Sequence, residues 1–176
     1  MKIKTKLKQK LENVNLVITD VDGVLTDGGM YYSEKDEVLK KFNTRDGMGV
    51  ELLLKNKIKT VLITKENSKI ALARGKKIKA ALTIINCHSK ELELPKICRK
   101  FKVKPNQIVY VGDAINDSAI MKKISVSFSP ADGHETIQKS ADYVCKTKGG
   151  EGVFREVADI IIQSKSSKLK KTSLLE

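Results

Sequence analysis

The sequence has no tryptophan, two histidines, three cysteines and few aromatics of any kind, with four tyrosines and four phenylalanines. Cys87, Cys98 and Cys145 are odd in number, far apart and without a C-x-x-C pair. His88 and His134 are the remaining soft ligands, so neither a disulfide framework nor a zinc cage is expected, and the thiols read as reduced and structural. Long apolar runs are missing too. The stretch near Val157 to Ile162 falls far short of the roughly 20 residues that span a bilayer, so no transmembrane helix and no membrane partner is expected. Met1-Lys2-Ile3-Lys4-Thr5-Lys6 lacks the apolar core and small-residue cleavage site of a secretory signal, which points to the cytoplasm.

Acids are outnumbered, and the formal net charge is +13. Much of the excess sits at the ends: residues 1–10 carry five lysines and no acid, and residues 164–176 carry four lysines and one glutamate. Such Lys/Ser/Thr-rich ends usually fray, and these have no interleaved aromatics to stack on bases, which disfavours nucleic acid as a partner. The expected organisation is a basic tail at 1–13, one domain at 14–163 large enough to bury its own core, and a second basic tail at 164–176.

Within the body, Val14-Asn15-Leu16-Val17-Ile18-Thr19 is a short apolar run that reads as a buried strand delivering Asp20 to its C-terminal edge. Further strands are expected at Ile58 to Thr64, Gln107 to Gly112, Ile124 to Phe128 and Ala141 to Cys145. Asp46 to Leu54, Ser68 to Ile78, Lys90 to Phe101, Asp117 to Lys122 and Gly152 to Ile162 carry apolar residues at helical spacing. This alternation predicts an α/β fold: a three-layer, Rossmann-like parallel sheet between helices. Gly28 to Phe42 breaks the rhythm with paired tyrosines, a polar turn and then Val38 to Phe42, which predicts a β-hairpin flap after the first strand and no separate cap domain.

The chemistry gathers at strand ends. Asp20 and Asp22, two apart and followed by Gly23, suit attack on phosphorus by one carboxylate and proton transfer to the leaving oxygen by the other. A divalent cation would neutralise the approach of Asp20 to phosphate. Alone, D-x-D-G also occurs in turns and calcium loops. Three further elements stand where the same chemistry needs them. Thr64 ends the second strand, placing a hydroxyl and the following N–H for phosphate oxygens, though it could merely cap a helix. Lys90 opens the helix expected at Lys90 to Phe101, where it could neutralise phosphate and Asp20, though in isolation it would read as a surface lysine. Asp113 and Asp117 follow the strand expected at Gln107 to Gly112, Asp113 suiting direct magnesium ligation by hard oxygen and Asp117 a water-mediated or orienting role. Asp20, Asp22, Asp113 and Asp117 are thus the candidate Mg2+ ligands. Open α/β sheets bind ligands beyond the carboxyl ends of their strands, which puts these elements around one crevice.

At these residues, over about positions 14–162, the chain resembles the haloacid-dehalogenase phosphatases. Asp20 to Gly28, Lys41-Phe42-Asn43-Thr44-Arg45-Asp46-Gly47, Gly112-Asp113 with Asn116-Asp117, and Gly149-Gly150-Glu151-Gly152 are similar to the small capless subgroup. That subgroup acts on 3-deoxy-2-ulosonic acid phosphates, either octulosonate 8-phosphate or a sialic-acid-type nonulosonate 9-phosphate. The resemblance implies a magnesium-dependent homotetramer with flaps and neighbouring subunits in place of the cap, and a C-terminal glycine loop that reaches towards a neighbour's site. Asp20, Asp22, Thr64 and Lys90 would be catalytic. Asn43, Arg45, Lys65, Glu66, Arg74 and Lys77 would bind substrate.

Glu66 and Lys77 tip the substrate towards the nonulosonates, where the resemblance has Glu and Lys at these places; eleven residues is three helical turns, so the two could share a face. An ordinary charged helix face would look the same. Lys65 stands where the family pattern has glycine, so that loop either tolerates an ordinary backbone or differs, and Ala114 replaces a frequent second acid. His134, after Pro130-Ala131-Asp132-Gly133, reads as structural. The alternatives are a phosphomutase, which would pass the phosphate to a sugar, and a non-catalytic tetramerisation module.

Overall fold

The computed structural model describes residues 4–172, without the side chains of 167–172. Six parallel strands form the sheet: β1 (Leu16–Thr19), β4 (Lys59–Ile63), β5 (Leu82–Ile84), β6 (Ile108–Val111), β7 (Val126–Ser129) and β8 (Tyr143–Val144), in the order β5-β4-β1-β6-β7-β8. Between β1 and β4 stands an antiparallel hairpin, β2 (Tyr31–Tyr32) with β3 (Glu37–Leu39), which is the expected flap. Helices α1 (Thr5–Glu12), α2 (Thr44–Lys55), α3 (Lys69–Lys77), α4 (Lys90–Phe101), α5 (Ser118–Met121), α6 (Glu135–Ser140) and α7 (Val153–Thr172) complete the chain. None of these helices is long and apolar enough to cross a membrane.

Every residue of β1, β6 and β7 is buried because helices cover both faces of the sheet. Alternate residues divide between two cores. Val17, Leu62 and Val109 pack with Leu11, Val50, Leu53, Phe154 and Val157 from α1, α2 and α7. Leu16, Ile18, Val61 and Tyr110 face Leu94, Ile97, Ile120 and Ile137 from α4, α5 and α6. The chain winds outward from β1 through β4 to β5, then returns to β6 on the other side of β1. The ends of β1, β4 and β6 therefore meet at the point where the winding reverses.

Within the described residues the basic ends are helical. Thr5–Glu12 is a helix that buries Leu7 and Leu11, four apart, against the sheet. The helix of α7 runs past residue 163, with Ser164 buried and the Lys165 ammonium donating to the carbonyls of Glu12 (3.1 Å) and Val14 (2.7 Å). These lysines are thus partly structural, and the domain extends into both regions set aside as tails; residues 1–3 and 173–176 lie outside the described residues.

Asp46 joins α2 to α7 across the core. Its Oδ1 accepts from the backbone N–H groups of Phe154 (3.0 Å) and Arg155 (3.3 Å), so it caps a helix that starts more than a hundred residues later. Burial outweighs these bonds and pushes its carboxyl up to about 6. A raised folded-state pKa means that the bound proton stabilises the fold below the ordinary value of 3.8, and that this contribution is lost as pH rises through about 6. Between pH 5 and 7.5 the wild type should therefore lose about 1.4 kcal/mol of stability relative to Asp46→Asn. Denaturant melts at the two pH values measure this, and parallel curves for the two proteins would contradict it.

Candidate active site

Asp20 follows the last residue of β1, and its N–H continues the ladder by donating to the Val111 carbonyl (2.9 Å). It is therefore as fixed as the central sheet. Its Oδ1 accepts from the Val21 N–H (2.7 Å), and its Oδ2 meets the ammonium of Lys90 at 2.7 Å. Lys90, the first residue of α4, is 1% exposed and bridges to Asp117 Oδ1, also at 2.7 Å. Burial opposes its charge, but the Asp20 and Asp117 carboxylates outweigh that and hold it above the ordinary lysine value. Asp20 is pushed well above the carboxylate range by burial first and then by the Asp117 charge, with Lys90 acting in the opposite direction.

Asp117 is fully buried and accepts four hydrogen bonds: Oδ1 from Lys90 and from the Tyr110 hydroxyl (2.6 Å), Oδ2 from the N–H groups of Asp113 (3.0 Å) and Ala114 (3.2 Å). Two oxygens offer about four lone-pair sites, so Asp117 is saturated and orients its neighbours rather than ligating directly. Asp113 is different. Its Oδ1 is buried without a hydrogen-bond partner, and burial, then Asp117, push its carboxyl up to about 7. Oxygens of Asp20, Asp113 and Asp117 lie within 4.8 Å of one another. An unpartnered carboxylate oxygen among crowded acids fits a hard divalent cation, with Asp20 and Asp113 as its protein ligands.

The Asp22 carboxylate, expected among the metal ligands, does not join that group of side-chain oxygens. Its side chain turns to the flap: Oδ1 is paired with the Lys40 ammonium, and Oδ2 accepts from the Thr64 hydroxyl (3.0 Å). Thr64 Oγ1 in turn accepts from the Glu66 N–H (3.1 Å). Gly23, at φ +83°, lets the loop turn back beside Asp113, and Gly149 and Gly150 pack on the Gly23–Asp27 backbone. Gly150 N–H donates to the Val24 carbonyl (2.9 Å), so the C-terminal glycine loop closes on this chain's own acid loop.

A haloacid dehalogenase-like hydrolase family model matches residues 6–157. The chain belongs to that family. It is 35% identical over 164 residues to 3-deoxy-D-manno-octulosonate 8-phosphate phosphatase of Salmonella typhi, covering 91% of this chain and 85% of the relative. The fold matches the cobalt-bound form of the deoxy-D-mannose-octulosonate 8-phosphate phosphatase from Haemophilus influenzae, with a TM-score of 0.87, 35% identity and 90% and 92% of the two chains covered. It also matches the Moraxella catarrhalis enzyme in complex with a magnesium ion, a phosphate ion and a KDO molecule, with a TM-score of 0.88, 25% identity and 99% and 100% coverage. Its enzyme class is that of the phosphoric monoester hydrolases.

In this hydrolase Asp20, Asp113 and Asp117 gather with Lys90, and Asp22 pairs with Thr64, while several residues expected to bind substrate make contacts within the fold. The Asn43 amide is spent on the fold: Oδ1 caps α2 by accepting from the Arg45 N–H (2.9 Å), and Nδ2 donates to the Gly150 carbonyl (3.2 Å). Arg74 donates to the Asn43 carbonyl (2.8 Å) and lies over the Phe42 ring. Arg45 is exposed with its stem against Gly152. Glu66 precedes the Ser68 cap of α3, so counting helical turns from Glu66 to Lys77 does not apply. Lys77 lines a groove of about 390 Å3 with Thr44, Gly47, Glu51 and Arg74, and none of Asp20, Asp22, Asp113 and Asp117 lines it. Lys65 keeps an ordinary backbone outside the positive-φ region, so replacing glycine there costs no strain. His134 caps α6, with Nδ1 accepting from the Thr136 N–H (3.2 Å).

Lys40, Glu37 and Tyr110 were not anticipated. Tyr110 was visible only as an apolar strand residue. Lys40 and Lys41 are adjacent and locally indistinguishable, yet Lys40 is buried on Asp22 whereas Lys41 is exposed on Asp27 (3.0 Å).

Proposed function

We propose that this hydrolase is a Mg2+-dependent phosphatase of 3-deoxy-D-manno-octulosonate 8-phosphate, acting through a phosphoryl group carried transiently on Asp20. The observation that carries this reading is the Asp20–Lys90–Asp117 arrangement beside the unpartnered Asp113 oxygen at the reversal point of the sheet. The octulosonate substrate is supported by the relatives, which match along nearly the whole chain. A nine-carbon substrate loses the shared helix face of Glu66 and Lys77 as support, because Glu66 lies off the helix.

When bound at Asp20 and Asp113, Mg2+ would supply charge neutralisation for a carboxylate approaching a phosphate dianion. Asp20 attacks phosphorus while Lys90 and the fixed strand end hold its carboxylate in place. Asp22 hands a proton to the departing sugar oxygen and then takes one from the water that releases phosphate. Thr64, hydrogen-bonded to Asp22, keeps that carboxyl at the mouth of the site. With no cap domain among the described residues to shield an intermediate, hydrolysis is favoured over transfer to a second sugar.

The same reading includes a cytoplasmic homotetramer, and the exposed apolar flap residues Met30, Tyr31, Tyr32, Val38 and Leu39 suit packing against another copy. Turnover of octulosonate 8-phosphate and of a nonulosonate 9-phosphate, each with and without Mg2+, tests the proposal. A preference for the eight-carbon ester is expected. Equal or reversed preference would overturn the substrate assignment, and Mg2+-independent turnover would overturn the metal assignment.

A further inference from the structure

Lys40 follows the last residue of β3, and its side chain is 0% exposed in a hairpin whose other side chains largely face solvent. Its ammonium pairs with Asp22 and with Glu37 Oε1, the latter at 2.5 Å. Glu37 Oε2 accepts from the hydroxyl of Ser68 (2.6 Å), whose Oγ also caps α3 by accepting from the Ala71 N–H (3.2 Å). A continuous polar chain, Ser68–Glu37–Lys40–Asp22–Thr64, thus runs from the start of one helix through the flap to the end of β4.

Burying an ammonium costs several kcal/mol before its partners compensate, and an apolar residue would anchor a flap without that cost. A cation here has a use if the thing to be fixed is a carboxylate. Asp22 is that carboxylate, gripped from the flap on Oδ1 and from the sheet on Oδ2.

We propose that Lys40 is the positioning residue through which the flap sets Asp22 against the leaving oxygen, with Glu37 and Ser68 fixing Lys40 in turn. The proposal rests on the phosphatase reading with Asp22 as proton donor. In this role Lys40 acts through Asp22, its partner at the site, and not on phosphorus or the attacking oxygen. Loss of the grip should therefore matter in proportion to how much the leaving group needs a proton. An alkoxide departs only with the proton from Asp22 as the P–O bond breaks, whereas a nitrophenolate departs without one.

The test compares kcat/KM of wild type, Lys40→Met and Lys40→Arg on p-nitrophenyl phosphate, on glycerol 3-phosphate, which is an alkyl ester without a carboxylate, and on octulosonate 8-phosphate. Lys40→Met should lose about 100-fold on both alkyl esters and less than about tenfold on the aryl ester, as expected for a misplaced proton donor. Lys40→Arg should recover much of the loss. Equal losses on all three esters would reduce Lys40 to a structural anchor, and a loss confined to the sugar acid would make it a carboxylate reader; either overturns the proposal. Should Lys40→Met fail to fold, Glu37→Gln, which leaves the Lys40–Asp22 pair in place but loosened, should show the same leaving-group dependence at smaller size, and its absence would be equally decisive. Wild-type inactivity on every ester with Mg2+ would instead sink the phosphatase reading itself.

Discussion

Lys90→Met should lower kcat/KM on an alkyl phosphate by roughly 10²–10³-fold at saturating Mg2+, the scale of removing one electrostatic stabiliser from a buried site. The same change should cost about 3–5 kcal/mol of stability, because it leaves the charges of Asp20 and Asp117 buried without their shared cation. In the metal-free site Lys90 opposes the forces that raise the Asp20 pKa, so at low Mg2+ its removal should also leave Asp20 protonated to higher pH and less able to take the cation or attack. The rate of the variant should therefore recover partly as pH rises, whereas a lysine that only packed would leave the pH profile unmoved. Rate–pH profiles and denaturant melts of the two proteins measure both effects. An unchanged rate would remove Lys90 from the site.

Gly23→Ala should be nearly as damaging, although glycine does no chemistry. At φ +83° the residue lies where an L side chain costs about 1–2 kcal/mol, and the added methyl carbon would stand 2.1 Å from Asp113 Oδ2. Asp113 cannot swing clear cheaply, because its own N–H is tied to Asp117 and its Oδ1 is enclosed. Displacement of a reacting geometry by about 1 Å costs on the order of 10²-fold in rate. Because Asp113 is a proposed cation ligand, the variant should also need more Mg2+ for half-maximal rate. Gly149→Ala reaches the same loop from the other side, with its methyl carbon 2.0 Å from the Gly23 carbonyl oxygen, and backbone cannot yield as a side chain would. Titrating Mg2+ against rate tests both substitutions. Wild-type curves in both would mean that the two glycine loops do not position Asp113.

The parts of the site that were readable in the sequence are those set by the strands. A buried parallel strand is a continuous apolar run, so its C-terminal end is visible, and Asp20, Thr64 and Asp113 are legible as strand-end residues without further information. Shorter or half-covered elements leave weaker signals. Strand β5 has three partly buried residues, and α1 shows only Leu7 and Leu11 among three lysines, fewer apolar positions than a helical period needs to declare itself. The substrate residues were least legible because a polar side chain looks alike whether it binds a ligand or caps a helix. Asn43 took the second role, and Glu66 fell outside the helix that was to align it with Lys77, since Ser68 intercepts the chain as the N-cap. Lys40 depends on the tertiary approach of the flap to Asp22, which nothing in its neighbouring sequence encodes.

The most direct test of Asp20 as the nucleophile is rapid acid quench of the enzyme turning over an ester labelled in its phosphate, followed by mapping of the label. Label should appear on Asp20 within the first turnover, be released by hydroxylamine as expected of an acyl phosphate, and be absent from Asp20→Asn. Label on another residue, or label persisting in Asp20→Asn, would contradict covalent catalysis at this position.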